Sequence, residues 1–308
     1  MDIYKLEAEK APVWAWSAAE IIADTRLASG GLSRGGAADL MRSVISTFRD
    51  GVPENMSVWC DSAGGWLWVD GTDSSHMRVR AGKLSSDSDI SSWVDFIHSE
   101  FAGKTLSWCV WGDNDSKRAL LKALEARPSS VVMGGPVSSV LTPSGSSGAW
   151  LRPMGAGELM RFQVAAANEL GVAQVASGAY MSVDEARREA FRSIEAELRD
   201  GVASPGHRLY SLCHGGQTVG GAWLEIDSGV ATVRSVVVDS EARGEGHRRA
   251  ALAALAAAAH MEGARVINTT VMPATHPFTT VLCDMGMGIV STDYIHKPSL
   301  AHAPALVH

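Results

Sequence analysis

The chain has 308 residues, 46% of them hydrophobic and 20% charged, with a formal net charge of −7; this excludes a disordered or fibrous protein and suits two domains of ordinary size. Basic residues number 14 against 18 acidic before Trp150 and 13 against 16 after it, so neither half has the positive excess that a phosphate backbone requires, and no nucleic-acid partner is expected. The longest apolar run, 250–259, is mostly alanine and too short for a bilayer, no secretory pattern opens the chain, and Cys60, Cys109, Cys213 and Cys283 fit neither a zinc pattern nor a disulfide framework, so the expectation is a cytoplasmic protein with reduced thiols, no metal and no membrane partner.

In chain order, the first half reads as strands near 57–60, 66–70, 77–80 and 105–111, with helices near 90–101 and 116–126. Thr142-Pro143-Ser144-Gly145-Ser146-Ser147-Gly148 has few side chains to bury and marks a linker, which predicts domains at 1–143 and 149–300. Beyond it come a strand at 149–154, helices at 157–170 and 183–200, and a hairpin of strands 208–213 and 217–226 across His214-Gly215-Gly216. A β-branched central strand at 231–238, a helix at 246–262, a strand at 266–271, a short helix at 277–284 and a last strand at 289–296 complete the half. The mixed-charge run 185–199 reads as a solvated helix face.

The halves echo one another. Met41-Arg42-Ser43-Val44, ending in Arg49-Asp50-Gly51-Val52, returns as Phe191-Arg192-Ser193-Ile194, ending in Arg199-Asp200-Gly201-Val202. Ala28-Ser29-Gly30 matches Ala176-Ser177-Gly178, and Gly64-Gly65-Trp66-Leu67 matches Gly220-Gly221-Ala222-Trp223-Leu224 with a small gap. Several matches in the same order indicate an internal repeat.

The segment with the clearest chemistry follows the strand Val236-Val237-Val238. Asp239-Ser240-Glu241-Ala242-Arg243-Gly244-Glu245-Gly246 runs directly into the helix that His247, Arg248 and Arg249 open. A glycine loop at a helix start gathers free backbone N–H groups and the positive end of the helix dipole, which makes an anion site. Gly244 and Gly246 let the backbone approach a phosphate closely.

Here the sequence resembles the GNAT superfamily, whose pyrophosphate loop reads Arg/Gln-x-x-Gly-x-Gly/Ala: Arg243, Gly246 and Arg248 fall on its three fixed positions, with Arg248 in place of the final Gly or Ala. Leu151-Arg152-Pro153-Met154 and Asp200-Gly201-Val202-Ala203-Ser204-Pro205-Gly206-His207 resemble segments of one bacterial subgroup. The stretch from His276 to Met287 keeps the spacing of the family's Asn-x-x-Ala-x-x-Leu-Tyr-x-x-x-Gly-Phe/Tyr segment. The resemblance implies an α/β fold of two tandem GNAT-like domains, each a mixed, mostly antiparallel central sheet flanked by helices. It also implies acetyl-CoA as co-substrate, with direct transfer to the amine of a small molecule or a peptide amino terminus. The cofactor contacts it implies are Val236, Val238, Arg243, Gly244, Glu245, Gly246, His247, Arg248, Arg249, His276 and Thr279.

Catalytic groups depart from the family. Leu282 stands where a tyrosine usually protonates the leaving thiolate, His276 where an asparagine contacts pantetheine, and Ser235 and Val237 where related chains carry strand acids. Glu225 is the first substitute base, against its reading as a solvated hairpin carboxylate, and His207 the second, against a histidine that closes a turn. Cys283 is a candidate proton donor to the thiolate, against a small packed cysteine, and Tyr294 a candidate on the last strand, against aromatic packing. The first half has no such loop: Ala81-Gly82-Lys83-Leu84-Ser85-Ser86-Asp87-Ser88-Asp89 carries one glycine and carboxylates that repel a diphosphate. It is read as a degenerate copy whose Trp66, Trp68, Trp108 and Trp111 are core, with an aromatic substrate pocket as the other reading. A non-catalytic acyl-CoA-binding or regulatory protein, and a transferase of a longer acyl group, are the alternatives.

Overall fold

The computed structural model describes residues 2–71, 75–112, 114–140, 148–178, 180, 182–244, 246–272 and 276–297. The 142–147 part of the expected linker lies outside them. By packing, the chain divides into one unit of Met1–Ser29, Ala37–Pro128 and Ser291–His308, and another of Gly30–Gly36 and Ser129–Val290.

In chain order the elements are β1 (Ile3–Lys5), α1 (Ala11–Ala28), α2 (Arg34–Thr47), β2 (Met56–Asp61), β3 (Trp66–Asp70), β4 (His76–Lys83), α3 (Ile90–Glu100), β5 (Thr105–Trp111), α4 (Asp115–Ala123), β6 (Arg127–Pro136) and α5 (Val137–Val140). Then come β7 (Trp150–Pro153), α6 (Ala156–Ala176), α7 (Val183–Glu197), β8 (His207–His214), β9 (Gln217–Asp227), β10 (Val230–Val238), α8 (His247–Met261), β11 (Val266–Val271), α9 (His276–Asp284) and β12 (Gly288–His296). The strands of the first unit run β1-β2-β3-β4-β5-β12, and those of the second β7-β8-β9-β10-β11-β6. In each, the first four are antiparallel neighbours, the fifth is parallel to the fourth, and the sixth is antiparallel to the fifth. The helices fall in the same gaps of both orders, so the repeat seen in the sequence is a repeat of topology.

Each unit takes its sixth strand from the other half of the sequence. Ser291–His296 of β12 pairs with β5, and Val131–Pro136 of β6 pairs with β11. Tyr294, opposite Trp108, therefore belongs to the first unit. Chain order alone assigns both strands by position, whereas the hydrogen-bonded edge they complete decides where they lie.

Each sheet has a core on both faces. In the second unit Ala231, Val233, Val236 and Val238 of β10 pack with Leu252 and Leu255 of α8, while Val237 and Trp223 pack with Phe162 of α6 and Ile194 of α7. Burial on both faces explains the continuous β-branched run of β10. Truncating a fully buried leucine such as Leu252 costs about 2–5 kcal/mol. In the first unit Trp66 and Trp68 pack edge-on around Trp14 and Phe48, and Trp108 joins Trp93 and Ile97 on the opposite face. Trp66, Trp68 and Trp108 are core, whereas Trp111 is half-buried.

Five elements escaped the sequence pattern: β1, α1, α2, β6 and α5. The buried side of α1 is Ala11, Ala15, Ala18, Ala19, Ile22 and Ala23, so small residues carry its periodicity. β6 contains Pro128, two serines and two glycines, a loop-like composition. A Cβ at Gly134 would lie 1.9 Å from Asn268 Oδ1 of β11, so close strand approach requires glycine there.

Candidate functional site

The site begins with a failure of strand pairing. Val230–Val233 of β10 pairs with Val266–Thr269 of β11 and then the ladder stops, although β10 continues to Val238 and β11 to Val271. Thr269 Oγ1 donates to the carbonyl of Val233 at 3.1 Å and closes the last rung. On its other side β10 stays paired with β9 as far as Val238 opposite Gly220, with Arg234 as an extra, bulged residue between the Val233/Leu224 and Ser235/Trp223 pairs. A bulge bends its strand and sharpens the twist, so β10 is held to β9 while it leaves β11. A cavity of about 300 Å³ opens on this region, with Leu170, Ile194, Trp223, Val236 and Phe278 as apolar lining and Glu169, Glu197, Arg234 and Arg248 as charged lining.

At the end of the same strand the chain turns through Ser240–Ala242 into α8. Gly244 has φ +92°, and a Cβ there would meet nothing within 4 Å. Gly246, at φ +76°, is the residue before α8, and no side chain caps that end. A 15-residue helix thus starts at an end without a side-chain cap, beside a strand edge that has left its neighbour. The arginines here share one carboxylate. Glu169 of α6 accepts from Arg243 at 3.1 Å and from Arg248 at 2.9 and 2.8 Å, and Arg248 also lies over Phe278.

The other expected cofactor contacts divide. Val236 and Val238 lie on the unpaired stretch of β10, with side chains in the core. His247 is buried, its ring 4.7 Å from that of His214. Arg249 faces Asp284 at 3.9 Å. His276 opens α9 and Thr279 is half-buried on it. Glu245 lies outside the described residues.

The first unit repeats the strand geometry and reverses the helix end. β4 pairs with β5 only from His76–Val79 to Thr105–Trp108, and Arg80 is bulged between the Val69/Val79 and Trp68/Ala81 pairs. That register equates Arg80 with Arg234, Asp70 with Glu225, and Trp68 with Trp223; the sequence match had aligned Trp66, two residues away. Asp89, however, caps α3: its Oδ1 accepts from the Ser91 N–H at 3.1 Å and the Ser91 hydroxyl at 2.6 Å, and its Oδ2 from the Ser92 hydroxyl at 2.6 Å. Those hydroxyl bonds hold the carboxyl down at about 2. The gap between β4 and β5 is also filled, leaving about 20 Å³ lined by Arg26, Trp111 and Lys117 among others.

Of the expected catalytic residues, Glu225 and His207 are brought together, opposite each other on β9 and β8. Glu225 lies 3.8 Å from Arg234 but is not part of the cavity wall. His207 Nδ1 accepts from the Trp223 indole at 3.0 Å, so a neutral ring carries its proton on Nε2. Cys283 is exposed on α9, apart from the cavity lining, and Leu282 is fully buried in the core. The charged run 185–199 is not solvated throughout. Glu197 lines the cavity and accepts twice from Arg234 at 2.5 Å, while Arg234 stacks over Trp223. Sequence spacing hid Glu169, Glu197 and Arg234, because only a three-dimensional bulge turns Arg234 towards Glu197 of α7. The recurrence of a tryptophan, a carboxylate two residues on and a strand arginine in both halves was the one available signal.

No family model and no curated protein matches the chain. Among solved structures it is similar to a GCN5-related N-acetyltransferase from Sphaerobacter thermophilus, at 15% identity and TM-score 0.60 over 99% of this chain and 96% of that one. It is also similar to an acetyltransferase of the GNAT family from Colwellia psychrerythraea, at 12% identity and TM-score 0.53 over 97% and 100%. Both likenesses span nearly the whole chain, and at these identities they speak for the fold alone.

Proposed function

The chain has the tandem-domain fold of the GNAT superfamily, and on that footing we propose that its second unit is an acyl-CoA-dependent N-acyltransferase acting on an amine. The observation that carries this reading is the conjunction on β10 of an edge that parts from β11 and a loop that ends at a helix start without a side-chain cap. The α8 amides, Arg243 and Arg248 are the groups to hold the diphosphate of coenzyme A. The edge of Val236 and Val238 that has left β11, where the Val238 carbonyl accepts from Arg243 at 3.3 Å, is the edge along which pantetheine is held, which brings the thioester to the cavity. Acetyl is the acyl group the family resemblance favours.

In this reading the acceptor is a small-molecule amine or a peptide amino terminus lying in the cavity of about 300 Å³. The amine nitrogen attacks the thioester carbonyl, the C–N bond forms, and the C–S bond breaks. Holding both reactants in one cleft supplies most of the acceleration. Glu197, which reaches the cavity, takes the amine proton, and Glu225, the second carboxylate beside Arg234, shares that charge network. With Leu282 in the core, the departing thiolate takes its proton from water. The first unit, with Asp89 on its helix end, does not take coenzyme A.

The test is titration with coenzyme A, then turnover with acetyl-CoA and an amine panel while free thiol is followed. Binding and thiol release are expected. Burial of Leu282 favours one second reading, a sensor that binds acyl-CoA and releases no thiol with any amine.

A further inference from the structure

The gap of the first unit holds two buried donor nitrogens that, among the described residues, meet no acceptor. Lys117, on α4, is only 8% exposed, and Arg26 reaches in from α1 with its guanidinium 4.7 Å from the Trp111 ring centre. Both line the cavity of about 20 Å³, as do Trp111 and Cys109 of β5 and Arg80 of β4. Among the described residues, Arg26 Nε and Trp111 Nε1 are buried without an acceptor, and Lys117 has no carboxylate partner. The neighbouring carboxylates meet other lining residues, Asp70 pairing with Arg80 and Asp293 lying against Cys109.

A buried ammonium with a guanidinium beside it is costly unless a negative charge joins them. A water fits a space of this size, which is about one probe sphere. Yet a water cancels neither charge and accepts at most two hydrogen bonds. We propose that the gap between β4 and β5 of the first unit is a binding site for a small anion, chloride or a carboxylate group, held by Lys117, Arg26 and the Trp111 indole N–H. Burial lowers Lys117 to about 8, and an anion reverses that by favouring the ammonium. The place that pantetheine takes in the second unit becomes, in its repeat, a site for one small charge.

The experiment uses the full chain in two measurements. Crystals soaked in bromide are examined for anomalous scattering, and melting is followed with chloride or acetate replacing a bulky anion at constant ionic strength. A bromide peak between Arg26 and Lys117 is expected, with unfolding suppressed about tenfold for each tenfold rise in anion above its dissociation constant. Lys117→Met is expected to lose this dependence. Chloride acting without acetate identifies a free halide site, and acetate acting more strongly identifies a carboxylate site. Absence of the peak, or salt responses that are equal in wild type and Lys117→Met, overturns the proposal. If Lys117→Met does not fold, the bromide map decides alone.

Discussion

Asp89 and Gly246 hold the same place, each being the residue before the helix that follows a bulged strand, and they give that place opposite properties. Asp89 puts a carboxylate on the first turn of α3, whereas Gly246 leaves α8 with no side-chain cap at a left-handed residue. Where the strand pairing fails alike in both units, this one position separates an occupied helix end from an open one.

The shared carboxylate of Glu169 sets the charge of the open end. Arg248→Ala is expected to weaken coenzyme A binding by roughly 1.5–3 kcal/mol, the range for a hydrogen bond to a charged group, with melting nearly unchanged. Glu169→Gln is expected to tighten it severalfold, because Arg243 and Arg248 lose a competing anion. Calorimetry of both variants tests the pair, and equal affinities in all three proteins would remove the arginines from the site.

Glu197 and Glu225 have separable roles in the proposed transfer. Glu197→Gln is expected to lower kcat by about 10²–10⁴, the range for a lost general base, with KM for acyl-CoA unchanged. Glu225→Gln, outside the cavity wall, is expected to have the smaller effect. Steady-state kinetics across pH distinguishes them, and the acid limb of the kcat profile is expected to disappear in Glu197→Gln alone.

Acid stability depends on Glu158. The Arg152 guanidinium, then the Gly155 N–H, hold its carboxyl at about 2, below its ordinary 4.5. A carboxyl depressed on folding contributes stability that is complete above the unfolded value and is lost as pH falls through the folded one. Thermal melting between these two values is expected to be steeper with pH in the wild type than in Glu158→Gln.

Thiol reactivity bears on Cys283. Burial pushes Cys60 up to about 11 and Cys109 to about 12, and Cys213 is also buried, whereas Cys283 is exposed. A maleimide is expected to label one site rapidly, and peptide mapping to find it on α9. Cys283→Ser is expected to retain turnover within about twofold, since a group off the cavity wall protonates nothing in the transition state; a larger loss would restore it as a proton donor.

Periodicity made most of this architecture readable. Trp66–Asp70, Thr105–Trp111 and Val266–Val271 match their expected bounds, because alternation or a β-branched run states burial directly. The Arg243–Arg248 motif likewise named the helix end, since loop glycines and the following helix are neighbours in sequence. Partnership between distant segments was not readable. β6 and β12 look alike whichever sheet they join, and the carboxylates that meet Arg243, Arg248 and Arg234 come from α6 and α7, whose charged residues suit a wet helix face equally well.

The account rests on coenzyme A meeting the amides that Gly246 leaves without a side-chain cap. Gly246→Asp puts a carboxylate before α8, as Asp89 does before α3, at a left-handed position that aspartate tolerates, so the fold is expected to survive. Calorimetric titration of coenzyme A into both proteins should give binding to the second unit of the wild type and none to Gly246→Asp. Equal binding by the two, or none by either, would contradict it.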